Sequence, residues 1–265
     1  MIRLAASYFT AYISPRILTP IKEMDISAIG IIPARYASTR FPGKPLAMIH
    51  GKPMIQHVYE RASQADFQSV VVATDDDRIK DVVEGFGGKV VMTSPDHTTG
   101  TERCAEAFEL SDSNAQVIVN IQGDEPMVNP DHLNDLIACF KDDFVDVATL
   151  ISELDVTQMG DPNTVKVVQA KDGRVMYFSR SPIPHDRDKK YQITPLKHLG
   201  VYAYRASVLE RLIELPASHL EMVESLEQLR WLENGYSIQG VTVVDNGISV
   251  DTPQDLENLL AIWKK

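Results

Sequence analysis

The chain has 265 residues, a formal net charge of −11, 44% hydrophobic residues and 24% charged residues. This length and composition predict a globular protein with a sizeable core. The negative charge argues against a general nucleic-acid-binding protein, and no apolar run approaches the ~20 residues that span a bilayer, so neither kind of partner is expected. Cys104 and Cys139 are too isolated for a disulfide scaffold or a structural zinc site and predict a reducing cytoplasm.

The first 27 residues differ from the rest of the chain. They are weakly patterned, are interrupted by Pro15 and Pro20, and have the features of neither a signal peptide nor a strand. We predict that residues 1–27 form a poorly ordered N-terminal extension, with Met24 as a candidate start.

From residue 28 onward, short apolar runs alternate with segments of helical spacing. The predicted order is strand 29–33, helix 53–62, strand 69–74, helix 76–86, strand 90–93, helix 101–110 and strand 117–121. The Gly-Phe-Gly-Gly segment at 85–88 is predicted to stop its helix. This βαβ order predicts a doubly wound, mostly parallel sheet whose ligands bind at the carboxyl ends of the strands.

The second half is richer in predicted strands. Lys-Asp-Gly at 171–173 lies between apolar runs 165–170 and 174–179, which predicts a β-hairpin. A strand at 198–204, a helix at 221–233, and a last strand and helix complete the prediction.

A loop rich in cations follows the first predicted strand. Segment 31–45 reads Ile-Ile-Pro-Ala-Arg-Tyr-Ala-Ser-Thr-Arg-Phe-Pro-Gly-Lys-Pro. Arg35, Arg40 and Lys44 are suited to phosphate oxygens, and Gly43 permits close approach. The segment is not a Walker loop, because Pro45 follows the lysine, and the 85–88 glycines do not fit a dinucleotide fingerprint. A solvated basic turn is the alternative, but the preceding strand and the Gly-Lys-Pro ending favour a polyphosphate-binding loop.

Two acidic residues follow apolar runs elsewhere in the chain. Asp124 lies in the segment Gln-Gly-Asp-Glu-Pro after the fourth predicted strand, and Asp251 follows an apolar strand predicted to end at Val250. Mg²⁺ commonly binds one or two carboxylates together with phosphate oxygens, so the pair predicts a metal site. The alternatives are a turn with an Asp cap at the first position and a helix N-cap at the second.

Seven segments occur together in a family-specific order. They are Pro-Ala-Arg-Tyr-Ala-Ser-Thr-Arg-Phe-Pro-Gly-Lys-Pro-Leu (33–46), Gly-Thr-Glu-Arg (100–103), Asn-Ile-Gln-Gly-Asp-Glu-Pro (120–126), Tyr-Phe-Ser-Arg (177–180), His-Leu-Gly-Val-Tyr (198–202), Leu-Glu-Gln-Leu-Arg (226–230) and Val-Asp-Thr (250–252). Over roughly residues 28 to 263, the chain resembles the 3-deoxy-manno-octulosonate cytidylyltransferases.

The resemblance implies a nucleotidyltransferase fold, a variant of the Rossmann fold similar to GT-A, with an inserted β-rich lobe for sugar binding and dimerisation. It implies one domain at 28–265, divided into a nucleotide-binding part (28–160), an acceptor and dimerisation lobe (161–235), and a return strand and final helix (236–265). The implied reaction transfers CMP from CTP to the anomeric hydroxyl of 3-deoxy-D-manno-octulosonate (Kdo) for lipopolysaccharide biosynthesis. A cytoplasmic homodimer that uses Mg²⁺ is also implied.

The resemblance assigns residues to each part of this reaction. The implied catalytic set is Arg35, Lys44, Asp124 and Asp251, of which Asp124 and Asp251 hold the metal. Nucleotide binding is implied for Pro33, Arg35, Arg40, Lys44, Thr99, Gly100 and Thr101. Sugar binding is implied for Arg103, Gln122, Arg180, Arg187, His198, Tyr202, Glu227 and Gln228.

Two departures and two alternatives accompany this assignment. The loop at 186–198 is shorter than in the fullest family versions, which affects Arg187 most, and Lys197 stands where arginine is common. A cytidylyltransferase for sialic acid or a sugar phosphate should lack the 198–202 and 226–229 segments. A non-catalytic nucleotide sensor should have lost Lys44, Asp124 or Asp251. For the helical Arg103 and Glu227, the alternative is a solvated face; for His198 and Tyr202, it is a core or dimer position.

Overall fold

The computed structural model describes residues 26–38, 40–188, 190, 194–245 and 247–263. Its strands are β1 (Ala28–Ala34), β2 (Met48–Ile49), β3 (Lys52–Pro53), β4 (Ser69–Thr74), β5 (Val90–Met92), β6 (Val117–Asn120), β7 (Val147–Glu153), β8 (Lys166–Gln169), β9 (Val175–Ser179), β10 (Leu196–Arg205) and β11 (Ile238–Thr242). Its α-helices are α1 (Met54–Ala62), α2 (Asp77–Gly85), α3 (Gly100–Leu110), α4 (Pro130–Ala138), α5 (Ala206–Ile213), α6 (His219–Glu224), α7 (Gln228–Glu233) and α8 (Pro253–Ile262). None of the helices in these residues has the length and apolar character needed to cross a bilayer.

The central sheet has the order β11-β7-β10-β6-β1-β4-β5. The β6-β1-β4-β5 and β11-β7 pairs are parallel, whereas β10 is antiparallel to both β6 and β7. Strands β8 and β9 extend the sheet beside the start of β10. Because β10 runs in the opposite direction, its first residues reach the edge where the parallel strands end. The predicted doubly wound, mostly parallel sheet is therefore confirmed.

Two apolar layers cover the sheet. Along β1, Ile32 packs in the layer that includes α1 and α4, whereas Ile29 and Ile31 pack in the layer that includes α3 and α5. Successive strand residues point to opposite faces, so a strand buried on both sides is a continuous apolar run. A third cluster, formed by Ile49, Met54, Val250 and Leu259, joins α1 to α8.

Several local predictions are confirmed. Strand β4 has the predicted bounds, and the other strands and helices predicted before residue 121 lie within one or two residues of their observed positions. Helix α2 ends at the glycine segment, where Gly87 has φ +80° and Gly88 N–H donates to the Val83 carbonyl. Strands β8 and β9 form the predicted hairpin, with Gly173 at φ +88°.

The predicted helix at 221–233 is wrong, because α6 ends at a left-handed residue and α7 begins after it. Ser225 has φ +52°, and Leu226 is buried beside it. Arg230 on α7 donates to both carboxylate oxygens of Glu221 on α6, at 2.7 and 2.5 Å. This ion pair holds the two short helices against each other, a tertiary contact that helical spacing does not reveal.

The predicted strand before Asp251 is also wrong. Residues 248–250 are not in a strand, although Val250 N–H donates to the Asp124 carbonyl at 2.9 Å. The N-cap of α8 is Thr252, which forms a capping box with Asp255, so the N-cap alternative for Asp251 is wrong as well.

The short strands β2 and β3 and the elements α4, β7 and α5 were not predicted. Strand β7 is buried over most of its length and lies between β11 and β10. Of the predicted N-terminal extension, residues 1–25 lie outside the described residues. The division of residues 28–265 at positions 160 and 235 stays a prediction. Strand β10, which falls within the proposed acceptor lobe, lies in the middle of the main sheet.

A buried lysine fastens the start of β8. The Lys166 ammonium group donates to the carbonyls of Asp161 (2.8 Å), Thr164 (2.6 Å) and Arg180 (2.5 Å), and the residue has no exposed surface. Burial lowers the pKa of Lys166, and the charges of Asp161 and Glu224 oppose that change. The side chain thus joins the 161–164 segment to the end of β9.

We expect Lys166→Met to lower the free energy of unfolding by about 3 kcal/mol, because three buried carbonyls lose a charged donor. Urea unfolding measures the change. The control is Lys171→Met, at an exposed position in the same hairpin, where we expect a change within about 0.5 kcal/mol. Equal stability of the two variants would contradict the role given to Lys166.

Candidate active site

Two carboxylates and two cations meet at the carboxyl edge of the sheet. Lys44, in the short 3₁₀ turn after Gly43, donates to Asp124 Oδ2 at 2.6 Å and to Asp251 Oδ1 at 3.2 Å. Arg40 Nη2 lies 3.2 Å from the same Asp251 oxygen. The loop after β6 and the segment before α8 are joined by the hydrogen bond from Val250 to Asp124, which brings the two acidic residues together.

The donor set at this point suits a hard divalent cation. Asp124 and Asp251 both lie within hydrogen-bond distance of one ammonium group, so a cation there would meet two anionic oxygens. The described residues contain no cluster of three or more His, Cys, Asp or Glu side chains that could hold a metal. The protein would therefore supply two carboxylates and leave the other positions to water and ligand oxygens.

A cavity of about 350 Å³ opens beside these charges. It is lined by Pro33, Ala34, Arg35, Ala37, Ser38, Arg40, Lys44, Pro45, Gln122, Gly123 and Asp124. Gly123 suits this close packing, because a Cβ there would lie 3.0 Å from the Pro33 carbonyl oxygen. The predicted phosphate loop and Asp124 therefore face one cavity, and Asp251 lies behind its wall, in contact with Lys44 and Arg40.

Arg35 links this cavity to the loop before α3. Its Nη2 donates to the carbonyls of His97 at 2.5 Å and Thr99 at 3.3 Å. Burial lowers the pKa of Arg35, and the charge of Arg103 lowers it further. Arg35 thus lies at the cavity wall, and its position is fixed by the backbone carbonyls of residues 97 and 99.

The predicted nucleotide-binding residues at the start of α3 lie beside β1. Thr99 is the N-cap and forms a capping box with Glu102. A Cβ on Gly100 would lie 3.5 Å from Pro33 Cγ, so the start of α3 packs beside the proline ring. Thr101 turns toward α7 and donates to Glu227 Oε2 at 2.8 Å.

Arg103 is fully buried, which contradicts the alternative of a solvated helix face. Its Nη1 donates to Thr93 Oγ1 at 2.5 Å, and its Nη2 lies 3.3 Å from Asp75 Oδ2. Nε and Nη2 have no hydrogen-bond partner in the described structure. The guanidinium therefore lies beneath the site with unused donors.

Four other predicted sugar residues form a continuous group beside β10. His198 and Tyr202 have ring centroids 5.1 Å apart, and the charge of Glu227 acts on the buried Tyr202 hydroxyl. The Tyr202 hydroxyl and Gln228 Nε2 are buried without a hydrogen-bond partner in the described residues. Burial raises the pKa of Glu227, with Thr101 and Arg230 opposing the change. Such unpaired polar atoms are suited to water or ligand hydroxyls.

Of the three remaining predicted sugar residues, one lies at the cavity and two do not. Gln122 lines the cavity beside the phosphate loop and donates to the Gly200 carbonyl at 2.7 Å. Arg180 is held by the carbonyls of Glu224 (2.7 Å), Pro162 (2.9 Å) and Ser225 (3.3 Å). Arg187 has a 92% exposed side chain, 3.8 Å from Asp188, and is not brought to the group.

Several polar residues at this edge were not predicted as site residues. Asp75 and Thr93 hold Arg103, while the buried Tyr204 hydroxyl lies close to the side chains of Thr101 and Asn120. Asp75 and Asn120 occur at the ends of β4 and β6, and that position is the sequence signal that favours them. Thr93 and Tyr204 give no such signal.

A larger cavity, of about 670 Å³, adjoins the first one through Gln122 and Asp124. Its walls include His198, Glu125, and the Lys197–Asp245 ion pair at 2.8 Å. Burial, together with the charges of Asp124 and Asp245, raises the pKa of Glu125 to about 8. The two cavities together offer room for a ligand larger than a phosphate group.

Comparison with known proteins agrees with this geometry. A family model described as cytidylyltransferase matches residues 29–238. A 3-deoxy-manno-octulosonate cytidylyltransferase from Parabacteroides distasonis is 53% identical over 243 residues, covering 88% of this chain and 96% of that protein. One of the same name from Bacteroides thetaiotaomicron is 51% identical over 240 residues, covering 87% and 95%.

A solved structure is similar as well. A CMP:2-keto-3-deoxy-manno-octonic acid synthetase in complex with CTP superposes with a TM-score of 0.86 and 46% identity. The match covers 89% of this chain and 98% of the other.

The environment of His198 predicts a pH effect on stability. Burial lowers the pKa of His198 to about 3, against about 6.5 in the unfolded chain. Below pH 6.5 the unfolded state binds a proton that the folded state does not, so stability is lost as pH falls from about 6.5 toward 3. We expect His198→Gln to reduce the loss of unfolding free energy between pH 7.5 and pH 5 by about 1–2 kcal/mol, measured by urea unfolding.

The control for this measurement is His219→Gln, at an exposed histidine. We expect its pH dependence to equal that of the wild type. A His198→Gln variant that loses as much stability on acidification as the wild type would show that His198 is not kept neutral by the fold.

Proposed function

The chain belongs to the cytidylyltransferase family, among the 3-deoxy-manno-octulosonate cytidylyltransferases, and on that basis we propose that it transfers CMP from CTP to the anomeric hydroxyl of Kdo. In this reaction the anomeric oxygen forms a bond to the α-phosphorus, the bond to the β-phosphate oxygen breaks, and pyrophosphate leaves. The observation that carries the proposal is the contact of Lys44 with Asp124 and Asp251 beside a cavity that Arg35 and Arg40 also line.

The cations of the loop fit the charge that the reaction moves. Arg35, Arg40 and Lys44 line the smaller cavity, so they would bind the triphosphate and stabilise the pyrophosphate as it leaves. Lys44 is already oriented by two carboxylates and has only 15% of its side chain exposed. Such preorganised charge acts without rearrangement during the reaction.

Asp124 and Asp251 would hold Mg²⁺, the cofactor that we propose. A bound Mg²⁺ would neutralise phosphate charge and lower the pKa of a coordinated hydroxyl. The protein's own contribution is to hold both carboxylates at the edge of the cavity through the Lys44 contacts and the Val250 hydrogen bond.

We place cytosine and the acceptor sugar at the same carboxyl edge of the sheet. Pro33 lies beside Gly100, and together with the Thr99–Gly100–Thr101 segment it would frame cytosine. For the acceptor, Gln122, His198, Tyr202, Glu227 and Gln228 offer donors and acceptors for hydroxyl groups, and Arg103 has unused donors for the carboxylate. Arg180 and Arg187 would have to move to take part.

The assembly and the cellular setting are part of the proposal. We propose a homodimer formed through the inserted lobe, supported by exposed Met176 on β9 and by Met222 and Val223 on α6. Both cysteines are free, and Cys104 is buried, which supports a cytoplasmic protein in a reducing environment. The net charge of −11 supports small anionic substrates held by local cations rather than nucleic acid.

We expect the purified protein to release pyrophosphate from CTP only when Kdo and Mg²⁺ are both present. A coupled pyrophosphate assay with CTP, UTP and ATP, and with Kdo, sialic acid and a sugar phosphate, tests the base and the acceptor separately. No release with Kdo, but release with sialic acid or a sugar phosphate, would overturn the acceptor assignment and retain the reaction class.

We expect Asp124→Asn to lower kcat at least 100-fold while leaving the melting temperature within a few degrees, because one anionic metal ligand is lost and the side-chain shape is kept. The matched control is Asp146→Asn, a half-buried carboxylate at the opposite edge of the sheet that accepts from Ser237 N at 3.0 Å. The control should keep its activity. Unchanged kcat in Asp124→Asn would remove Asp124 from the metal site.

A further inference from the structure

The phosphate loop is closed by the backbone of Tyr36. Its carbonyl accepts hydrogen bonds from Ser38 N–H at 3.0 Å and from Gly43 N–H at 2.9 Å. These bonds join the two ends of the segment that carries Arg40, of which residue 39 lies outside the described part. The conformation of this loop therefore depends on where Tyr36 is held.

The Tyr36 ring lies directly against Gly43. Gly43 has φ +71°, and a Cβ at this position would lie 3.1 Å from Tyr36 Cζ. Gly43 thus meets two requirements at once, a left-handed backbone and space for the ring. Because Lys44 follows immediately, a displaced ring would also displace the residue that contacts both carboxylates.

Arg78 on α2 holds the same ring from another element. The Arg78 guanidinium carbon lies 3.3 Å from the Tyr36 ring centroid, within the range of a cation–π contact. Asp76 fixes the guanidinium through two hydrogen bonds, from Nε at 2.9 Å and from Nη2 at 2.6 Å. Asp76 is also the N-cap of α2, so the helix terminus, the arginine and the ring are linked.

Neither residue belongs to the machinery described above. Tyr36 and Arg78 do not line the smaller cavity, and neither contacts Asp124 or Asp251 in the described structure. Their contacts instead stabilise the conformation of the phosphate loop in the ligand-free protein. A loop that is ordered beforehand loses less conformational entropy on binding.

We propose that Tyr36 and Arg78 are positioning residues that hold the phosphate loop in its binding conformation. The proposal rests on the proposed function for its kinetic consequence, since the loop is assigned to the triphosphate of CTP. Losing the cation–π contact should weaken nucleotide binding more than acceptor binding, because the proposed acceptor residues lie outside the phosphate loop.

The test compares Arg78→Met with Arg174→Met. Arg174 is a matched control, because it also pairs with an aspartate two residues earlier, Asp172, through Nε at 2.9 Å and lies in an exposed turn. Steady-state kinetics should show that Arg78→Met raises KM for CTP roughly 5- to 10-fold and leaves KM for Kdo within about twofold. Arg174→Met should resemble the wild type in both constants.

Ring variants and hydrogen exchange complete the test. Tyr36→Phe keeps the ring and should retain the wild-type KM for CTP, whereas Tyr36→Ala should raise it at least as much as Arg78→Met does. The double variant Tyr36→Ala/Arg78→Met should be no worse than Tyr36→Ala alone, as expected for one shared contact. In the ligand-free protein, the Gly43 amide should exchange several-fold faster in Arg78→Met than in Arg174→Met.

Two results would overturn the proposal. One is an Arg78→Met variant whose KM for CTP and Gly43 exchange equal those of Arg174→Met. The other is a similar rise in KM for both substrates together with a lower melting temperature, which would indicate general destabilisation. Failure of the wild type to use CTP would count against the proposed function. The comparison of Gly43 hydrogen exchange between Arg78→Met and Arg174→Met would still decide whether Arg78 holds the loop.

Discussion

Three segments far apart in the chain meet at the ammonium group of Lys44. Asp124 comes 80 residues after this lysine and Asp251 comes 207 residues after it, yet both carboxylates lie within 3.2 Å of its Nζ. Partly buried unit charges about 4 Å apart interact by about 4 kcal/mol, so two carboxylates held together require a cation between them. Lys44 provides it in the free protein, and the geometry of the edge depends on this ion pair.

The same ion pair explains how folding prepares the site for an anionic substrate. The lysine is held by groups that would bind a metal, and the arginines beside it are held by backbone carbonyls or by the same carboxylate. The site therefore has positive groups in place before any phosphate is bound, although the chain as a whole is strongly acidic. Local charge, rather than overall charge, determines which ligands this protein can accept.

The sequence predicts the parts of this structure that depend on local pattern. Continuous apolar runs identify β1, β4 and β6, and the ends of those strands identify where Asp124 and the phosphate loop must lie. The Asp-Gly turn identifies the β8–β9 hairpin. Each of these patterns involves only a few neighbouring residues, so it can be recognised in a single sequence.

Other features depend on contacts between distant segments and gave no local signal. The break between α6 and α7 requires the Glu221–Arg230 ion pair and left-handed Ser225, whereas the helical spacing is continuous. Arg103 has the sequence context of a solvated helix face, and only the fold buries it against Thr93 and Asp75. From the sequence, Arg78 is an ordinary charged residue in the first turn of a helix, and only the structure reveals its contact with Tyr36.

The antiparallel direction of β10 has a consequence for how substrate choice can change during evolution. Its backbone is hydrogen-bonded on both sides, to β6 and β7 along the inner part and to β7 and β8 at the start. Its register against β7 shifts between Leu199 and Tyr202, so an irregularity is already accommodated there. On either side of this shift, an insertion would break two ladders at once, so those parts of the strand can vary mainly by exchange of side chains. The phosphate loop is separate in the chain and is held by other elements, so it can stay constant while β10 acquires new acceptors. The acceptor site that we propose can thus change while the proposed nucleotide site is kept.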